Sequence, residues 1–183
     1  MRKSKTQYVI LGLLSETDLS GYEIKKSIDN RFSFFWNESY GQIFPELKLL
    51  EQRESIEILS GKSDSKRDKI TYAITQKGIN ELKNWLYEPV EKDNVRIEIL
   101  LKMYFSSIVD KGVIKKHIEE FMAVHQMQLR TLNMFTDELT KIKDEHSNHE
   151  DILRVIDFGQ KVNKAYIDWC NETILYLESG DKK

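Results

Sequence analysis

Ser39, Tyr40, Gln42 and Lys48 are polar side chains placed around an apolar triplet, Ile43, Leu47 and Leu50, that repeats at i, i+4 and i+7. On a helix this spacing buries the triplet and turns the polar set outward. A glutamine amide can pair with an adenine edge, and a lysine with guanine or phosphate; a solvated helix surface would use the same residue types. Lys62, Lys66, Arg67 and Lys69 then crowd positive charge into a polar stretch that sets only Asp64 and Asp68 against them. Such a cluster suits phosphate oxygens, or simply keeps a loop tip in solution. Arg2, Lys3 and Lys5 add a basic arm. Ser20, Gly21 and Tyr22 open a helix, where backbone N–H groups and the helix dipole favour phosphate.

Other chemistry finds less support. His146 and His149 are three apart and His117 and His125 eight apart, with no acidic or thiolate cluster of metal-binding spacing beside them. They read as solvated histidines, and neither a metal nor a cofactor is expected. No Ser/His/Asp or Cys/His arrangement and no glycine-rich phosphate loop is present. The carboxylate pairs Glu119-Glu120, Asp137-Glu138 and Asp144-Glu145 fall on amphipathic stretches and read as solvated faces. The chain is therefore not expected to be an enzyme. Its single cysteine, Cys170, excludes an intrachain disulfide and reads as a small buried side chain.

The elements that must position these residues follow from periodicity and caps. Thr6 to Leu14 reads as a short helix. Ser20 with Glu23 has capping-box spacing and starts a second, with Ile24 and Ile28 one turn apart. The aromatic cluster Phe32, Phe34, Phe35 and Trp36 leads into a third helix, Asn37 to Arg53, capped by Asn37 or Ser39. Pro45 is awkward inside it; an irregular first turn over Tyr40 to Ile43, with the helix proper starting near Phe44, would accommodate the ring. Ile56 to Leu59 and Lys69 to Ile74 alternate like strands around a nine-residue polar loop, a hairpin with a long tip. Thr75 caps a further helix bearing Ile79, Leu82, Trp85 and Leu86.

Residues 87–94, with Pro89, lack apolar periodicity and read as a linker. Beyond it the chain is nearly all helix. Val95 to Ile108 is apolar along one side. Asp110 to Asp144 carries a heptad-like seam through Ile114, Ile118, Phe121, His125, Gln128, Leu132, Phe135, Leu139 and Ile142. His125 and Gln128 are its polar breaks. They could fix register, line a pocket, or be bypassed by rotation of the seam onto Met122 and Leu129. A last helix, Glu150 to Leu177, would face inward through Val155, Val162, Tyr166, Trp169 and Thr173. Tyr104, His125, Tyr166 and Trp169 are the candidates for a small-molecule pocket, with core packing as the alternative. Two helices of this length cannot easily bury their faces alone, and a second copy of the chain is the expected partner.

Composition fits a folded, helix-rich protein: 40% hydrophobic and 32% charged residues among 183. No apolar run approaches the roughly 20 residues that span a bilayer, so no membrane role is expected. The basic start followed by Tyr8 to Leu14 is too short and lacks a cleavage site for a signal peptide, which points to a buried first helix and a cytoplasmic location. Net charge is −2, close to +1 over residues 1–90 and −3 over 91–183. A nucleic-acid role must therefore rest on local charge.

The blocks Tyr8-Val9-Ile10-Leu11-Gly12-Leu13-Leu14, Leu19-Ser20-Gly21-Tyr22-Glu23-Ile24, Phe35-Trp36, Gln42-Ile43-Phe44-Pro45-Glu46-Leu47-Lys48 and Tyr72-Ala73-Ile74-Thr75, continuing through Gly78 to Leu82 and Trp85-Leu86, occur in an order and spacing that resembles the PadR family of bacterial regulators. The likeness covers residues 1–88 and extends, mainly through length, helicity and the stretch Glu98 to Phe105, to the family's longer members. The resemblance implies a mainly α fold with a small β-hairpin wing. An N-terminal winged helix-turn-helix (1–88) would bind DNA, and long antiparallel C-terminal helices (89–183) would dimerise and take the effector. It further implies a third helix in the major groove, a wing along the backbone or minor groove, a palindromic double-stranded operator, a homodimer, and mostly repression released by a small effector, often aromatic or hydrophobic. Two positions depart from the pattern. Phe44 stands where members usually carry Tyr, and Glu54 where a Gly usually ends the recognition helix; both should weaken or shift DNA contacts. The rival reading is a helical-dimer interaction module whose winged domain has lost DNA binding.

Overall fold

A computed structural model describes residues 5–60, 70–92, 95–141 and 148–179. They fall into two compact units, Met1–Lys92 and Asp93–Lys183.

In the first unit α1 (Thr6–Leu14), β1 (Leu19–Ser20), α2 (Gly21–Arg31), α3 (Tyr40–Gln52), β2 (Ile56–Ser60), β3 (Thr71–Ile74) and α4 (Gln76–Tyr87) follow one another. Three helices and an antiparallel sheet of order β1-β3-β2 enclose one core. Ile10, Leu11, Ile24, Ile28, Ile43, Leu47 and Leu50 are fully buried there, with Val9, Leu82 and Trp85 packed against them. The expected strands pair Ile56 with Ile74 and Ile58 with Tyr72. β1 was not legible: two residues are too short for a period-2 signal, and they become a strand by pairing Leu19 with Tyr72 and Ser20 with Thr71.

The caps act as read. Ser20 Oγ accepts from the Glu23 N–H at 3.3 Å while the Glu23 carboxylate accepts from Ser20 N–H at 3.0 Å, so α2 starts with two of its orphan donors satisfied. Thr75 Oγ1 accepts from Gly78 N–H at 3.2 Å and starts α4. The expectation for Pro45 is corrected: α3 is helical from Tyr40 through Pro45. The bond that proline removes would have gone to the Gly41 carbonyl, which lies in the exposed first turn within reach of solvent. Gly78 is required by packing. A Cβ there would overlap the Ser55 carbonyl oxygen and lie 2.8 Å from the Ile74 side chain.

The second unit holds α5 (Glu98–Tyr104), a single 3₁₀ turn (Ser106–Ile108), α6 (Lys111–Leu139) and α7 (His149–Ser179). The apolar stretch Val95 to Ile108 is thus not one helix. Two serines, poor helix formers, follow Phe105, and Asp110 restarts the chain by accepting from Gly112 N–H at 2.7 Å. Residues 142–147 lie outside the described residues. α6 and α7 pack antiparallel: Lys115 reaches Glu178 at 2.7 Å, His125 reaches Asn163, and Gln160 reaches Thr136. Ile99, Ile114, Ile118, Cys170 and Leu177 form the core. The α7 face differs from expectation. Val155 is exposed, and Ile156, Gly159, Asn163, Cys170, Thr173 and Leu177 are buried. Thr173 is buried as expected; the rest of the phase was missed because a glycine and an asparagine, Gly159 and Asn163, sit on the buried line.

Among the described residues no helix is long and apolar enough to cross a membrane.

Candidate nucleic-acid interface

The outward face of α3 is the candidate surface. Ile43, Leu47 and Leu50 are buried and anchor the opposite face. Ser39, Tyr40, Gln42 and Lys48 are exposed, as read from their spacing. Ser39 is the N-cap, and Gln42 bends back over it: Gln42 Oε1 accepts from Ser39 N–H at 2.9 Å and from Ser39 Oγ at 2.8 Å. The Gln42 carboxamide is thereby oriented with its oxygen toward the cap, leaving its NH₂ as the group free to present to a partner.

Tyr40 is 44% and Phe44 45% exposed, and their rings stack at 6.0 Å. Phe44 also closes over the start of α2, where a Cβ on Gly21 would stand 2.7 Å from its ring. This side chain therefore couples α3 to α2 by contact although it lacks a hydroxyl. Glu54 adopts φ 58°, so the left-handed turn that ends α3 forms even without glycine. It is held by Thr75 Oγ1 donating to the Glu54 carbonyl at 2.7 Å.

Sequence reasoning missed two residues here. Lys25 pairs with Asp29 on α2 and holds its ammonium 6.0 Å from the Tyr40 ring. With Asn37, Glu38, Ser39, Tyr40 and Gln42 it lines an open depression at the start of α3. Lys25 reads as an ordinary surface lysine until α2 is packed on α3. Glu38 is a buried carboxylate directly before the cap; nothing in its local sequence distinguishes it from a solvated glutamate.

The remaining expected contacts divide. Tyr22 is 65% exposed in the first turn of α2. Ser20 is buried, with its hydroxyl engaged by Glu23, so only the helix start it caps remains presentable. Lys5 is tied to Glu91 at 3.5 Å and lies 5.9 Å from the Trp85 ring. Lys3, Lys62, Lys66, Arg67 and Lys69 lie outside the described residues.

The four small-molecule candidates do not form one wall. His125 and Tyr166 do meet, with ring centroids 4.4 Å apart and Phe121 edge-on to both. Asn163 Oδ1 lies 2.7 Å from His125 Nδ1, and the Asn163 NH₂ donates to the Gly159 carbonyl at 2.8 Å. That second bond orients the amide, so Nδ1 carries a proton and donates to Asn163 Oδ1. The seam is accordingly not rotated away from His125; Met122 and Leu129 are half-buried beside it in a wider stripe. Trp169 faces a different depression, with Met103, Glu172, Thr173 and Tyr176. Tyr104 is 81% exposed and meets Phe105 edge-on. Among the described residues no group of three His, Cys, Asp or Glu side chains could hold a metal ion.

Residues 10–84 match the family described as Transcriptional regulator PadR-like family, and residues 95–178 match Virulence activator alpha C-term. The negative transcriptional regulator PadR of Bacillus subtilis (strain 168) is 29% identical over 185 residues, covering 96% of this chain and 98% of that protein. The solved structure of Bacillus subtilis PadR in complex with operator DNA superposes with a TM-score of 0.79 at 26% identity, over 95% of this chain and 99% of the other. Its complex with p-coumaric acid gives a TM-score of 0.74 at 25% identity, over 96% and 99%.

Proposed function

This chain belongs to the PadR-like family of transcriptional regulators, and on that premise we propose that it binds a palindromic operator as a homodimer and represses transcription until a small aromatic effector releases it. The observation that carries the reading is the outward face of α3: Ser39, Tyr40, Gln42 and Lys48 exposed above a fully buried Ile43, Leu47 and Leu50. A helix held this rigidly on its inner face can enter a major groove with side chains of base-reading type. The operator complex of the Bacillus subtilis relative supports the same use. Tyr22 and Lys25 join the set from α2, with the wing cations Lys62, Lys66, Arg67 and Lys69 and the arm residue Lys3 on phosphates. Lys5 and Ser20 act through position, because their side chains are engaged within the protein.

Residues 1–88 are the DNA-binding part and 89–183 the dimerisation and effector part of this cytoplasmic regulator. The helical unit supports a second copy as partner. Leu101, Tyr104, Phe105 and Ile108 of its first segment, and Phe158, Leu175 and Tyr176 of α7, are exposed within that unit, apolar side chains that a second copy would cover. Two-fold symmetry then sets half-sites about one helical turn, or a multiple, apart. The effector reading draws on the p-coumaric acid complex of the relative and on the aromatic residues grouped at His125 and Tyr166.

A gel shift on DNA flanking the gene, titrated with salt, tests the core of this reading. Binding should weaken steeply with salt. Lys62→Ala with Arg67→Ala should lower the log–log slope by about 2 and weaken binding alike on all sequences. Absence of any bound fragment at low salt, or a salt-independent affinity, defeats it. Adding p-coumaric acid to the same assay tests release by an aromatic acid.

A further inference from the structure

Glu38 is only 4% exposed. Its Oε1 accepts two hydrogen bonds at 2.9 Å, one from Thr6 Oγ1 on α1 and one from Trp36 Nε1. Its Oε2 is buried with no hydrogen-bond partner among the described residues. A buried carboxylate with one oxygen unmet opposes folding, and an apolar side chain of similar volume would serve stability at least as well. The nearby positive end of the α3 dipole offsets part of that cost.

What Glu38 supplies is direction. Ile43, Leu47 and Leu50 fix the depth of α3 in the core, but apolar contact is non-directional and sets the rotation and tilt of the start of the helix less sharply than a hydrogen bond does. The two bonds of Glu38 tie the residue before the Ser39 cap to α1 and to the Trp36 indole, and so fix the end of α3 that presents Ser39, Tyr40 and Gln42.

We propose that Glu38 is the positioning residue of the DNA-reading helix, setting the aim of Ser39, Tyr40 and Gln42 through Thr6 and Trp36. This rests on the reading that α3 enters a groove. Glu38, being buried, touches no DNA. Hydrogen bonds to base edges are lost steeply with small errors in distance and angle, whereas flexible lysines follow a phosphate through the same displacement. Glu38 therefore controls selectivity between sequences far more than overall affinity.

The test uses the full-length protein and a duplex enriched from a random-sequence pool by the wild type, with an unrelated duplex of equal length as control. Glu38→Ala should lower the ratio of the two affinities by about tenfold, the loss of roughly one base contact, with the unrelated duplex bound within about threefold of wild type. Glu38→Gln keeps an oxygen for Thr6 and Trp36, and should restore the ratio to within about threefold without lowering the melting temperature. A destabilised fold alone would weaken both duplexes together. The proposal is overturned if Glu38→Ala leaves the ratio unchanged, or if Glu38→Gln falls as far as Glu38→Ala. Should Glu38→Ala not fold, Thr6→Val and Trp36→Phe each remove one donor; each should reduce the ratio, and an unchanged ratio in both overturns the proposal. If the wild type enriches no duplex, the DNA-binding reading itself fails, and this inference with it.

Discussion

The two units bury apolar residues in different ways. In the first, helices α1, α2 and α3 and the sheet meet from several directions, and Ile10, Leu11, Ile24, Ile28, Ile43, Leu47 and Leu50 lose all contact with solvent. In the second, two long antiparallel helices share one stripe, and among the described residues only Ile118 of its aliphatic core is fully buried. Elements that converge in this way close around their own centre. A helix pair leaves its outer faces open, and Phe158, Met127 and Leu175 stand more than half exposed on them. The difference teaches that converging elements close a core from several sides, while a helix pair buries one stripe and leaves apolar side chains on its outer faces.

Core truncations should separate the units most strongly. Leu47→Ala and Ile118→Ala should each cost about 3 kcal/mol. Under the dimer reading only the unfolding of the helical unit should depend on protein concentration. Thiol labelling of Cys170, the chain's one cysteine and buried in the helical core, follows that unit alone. Equal concentration dependence in both units, or in neither, breaks the comparison.

Register is the next difference. Converging helices cannot slide, but an antiparallel pair can, and His125, Asn163, Gln160, Asn133 and Thr136 place polar bonds along its seam. Asn163→Ala removes the partner of His125 and should destabilise the helical unit by about 2 kcal/mol, with broadened or multiple species in solution. If it stays sharp and equally stable, the polar bonds are not what sets the register.

A smaller effect of opposite sign belongs to the winged unit. Glu54→Gly relieves a left-handed residue at φ 58° and should raise stability by about 1 kcal/mol in denaturant unfolding. A loss of stability there would show that the Glu54 side chain makes a contact worth more than the strain.

The smallest effect is alkaline. Burial, then Glu88 and Glu81 against an opposing Arg53, push the Tyr8 hydroxyl above the ordinary phenol range, and burial followed by Glu51 does the same for Tyr72. Folding favours the neutral phenols. Their contribution is therefore complete below the unfolded value of about 10 and is lost as pH rises through the raised values. The winged unit should weaken above about pH 10, and Tyr8→Phe with Tyr72→Phe should blunt that loss in melts across pH. An identical alkaline profile in the double variant would assign the loss to other groups.

The sequence alone determined the order of the helices and the hairpin in residues 1–88, the caps at Ser20 and Thr75, the buried triplet of α3 and the outward polar set opposite it, and it narrowed the α3 cap to Asn37 or Ser39. Each is a local matter of spacing or of a side chain reaching its own backbone. The resemblance to the family pattern marked Glu54 as a position usually held by glycine, and its φ is positive. Only the tertiary structure decided the rest. β1 exists because β3 offers it an edge. Val155 yields to Ile156 because the buried line of α7 runs through Gly159 and Asn163. Tyr104 and Trp169 are parted from His125 and Tyr166 by which face each presents. Lys25 joins the start of α3, and Glu38 becomes a buried latch, only when α1, α2 and α3 meet. Periodicity reports which side of one element is apolar; contacts between residues distant in the chain follow from how elements pack, and no local pattern encodes them.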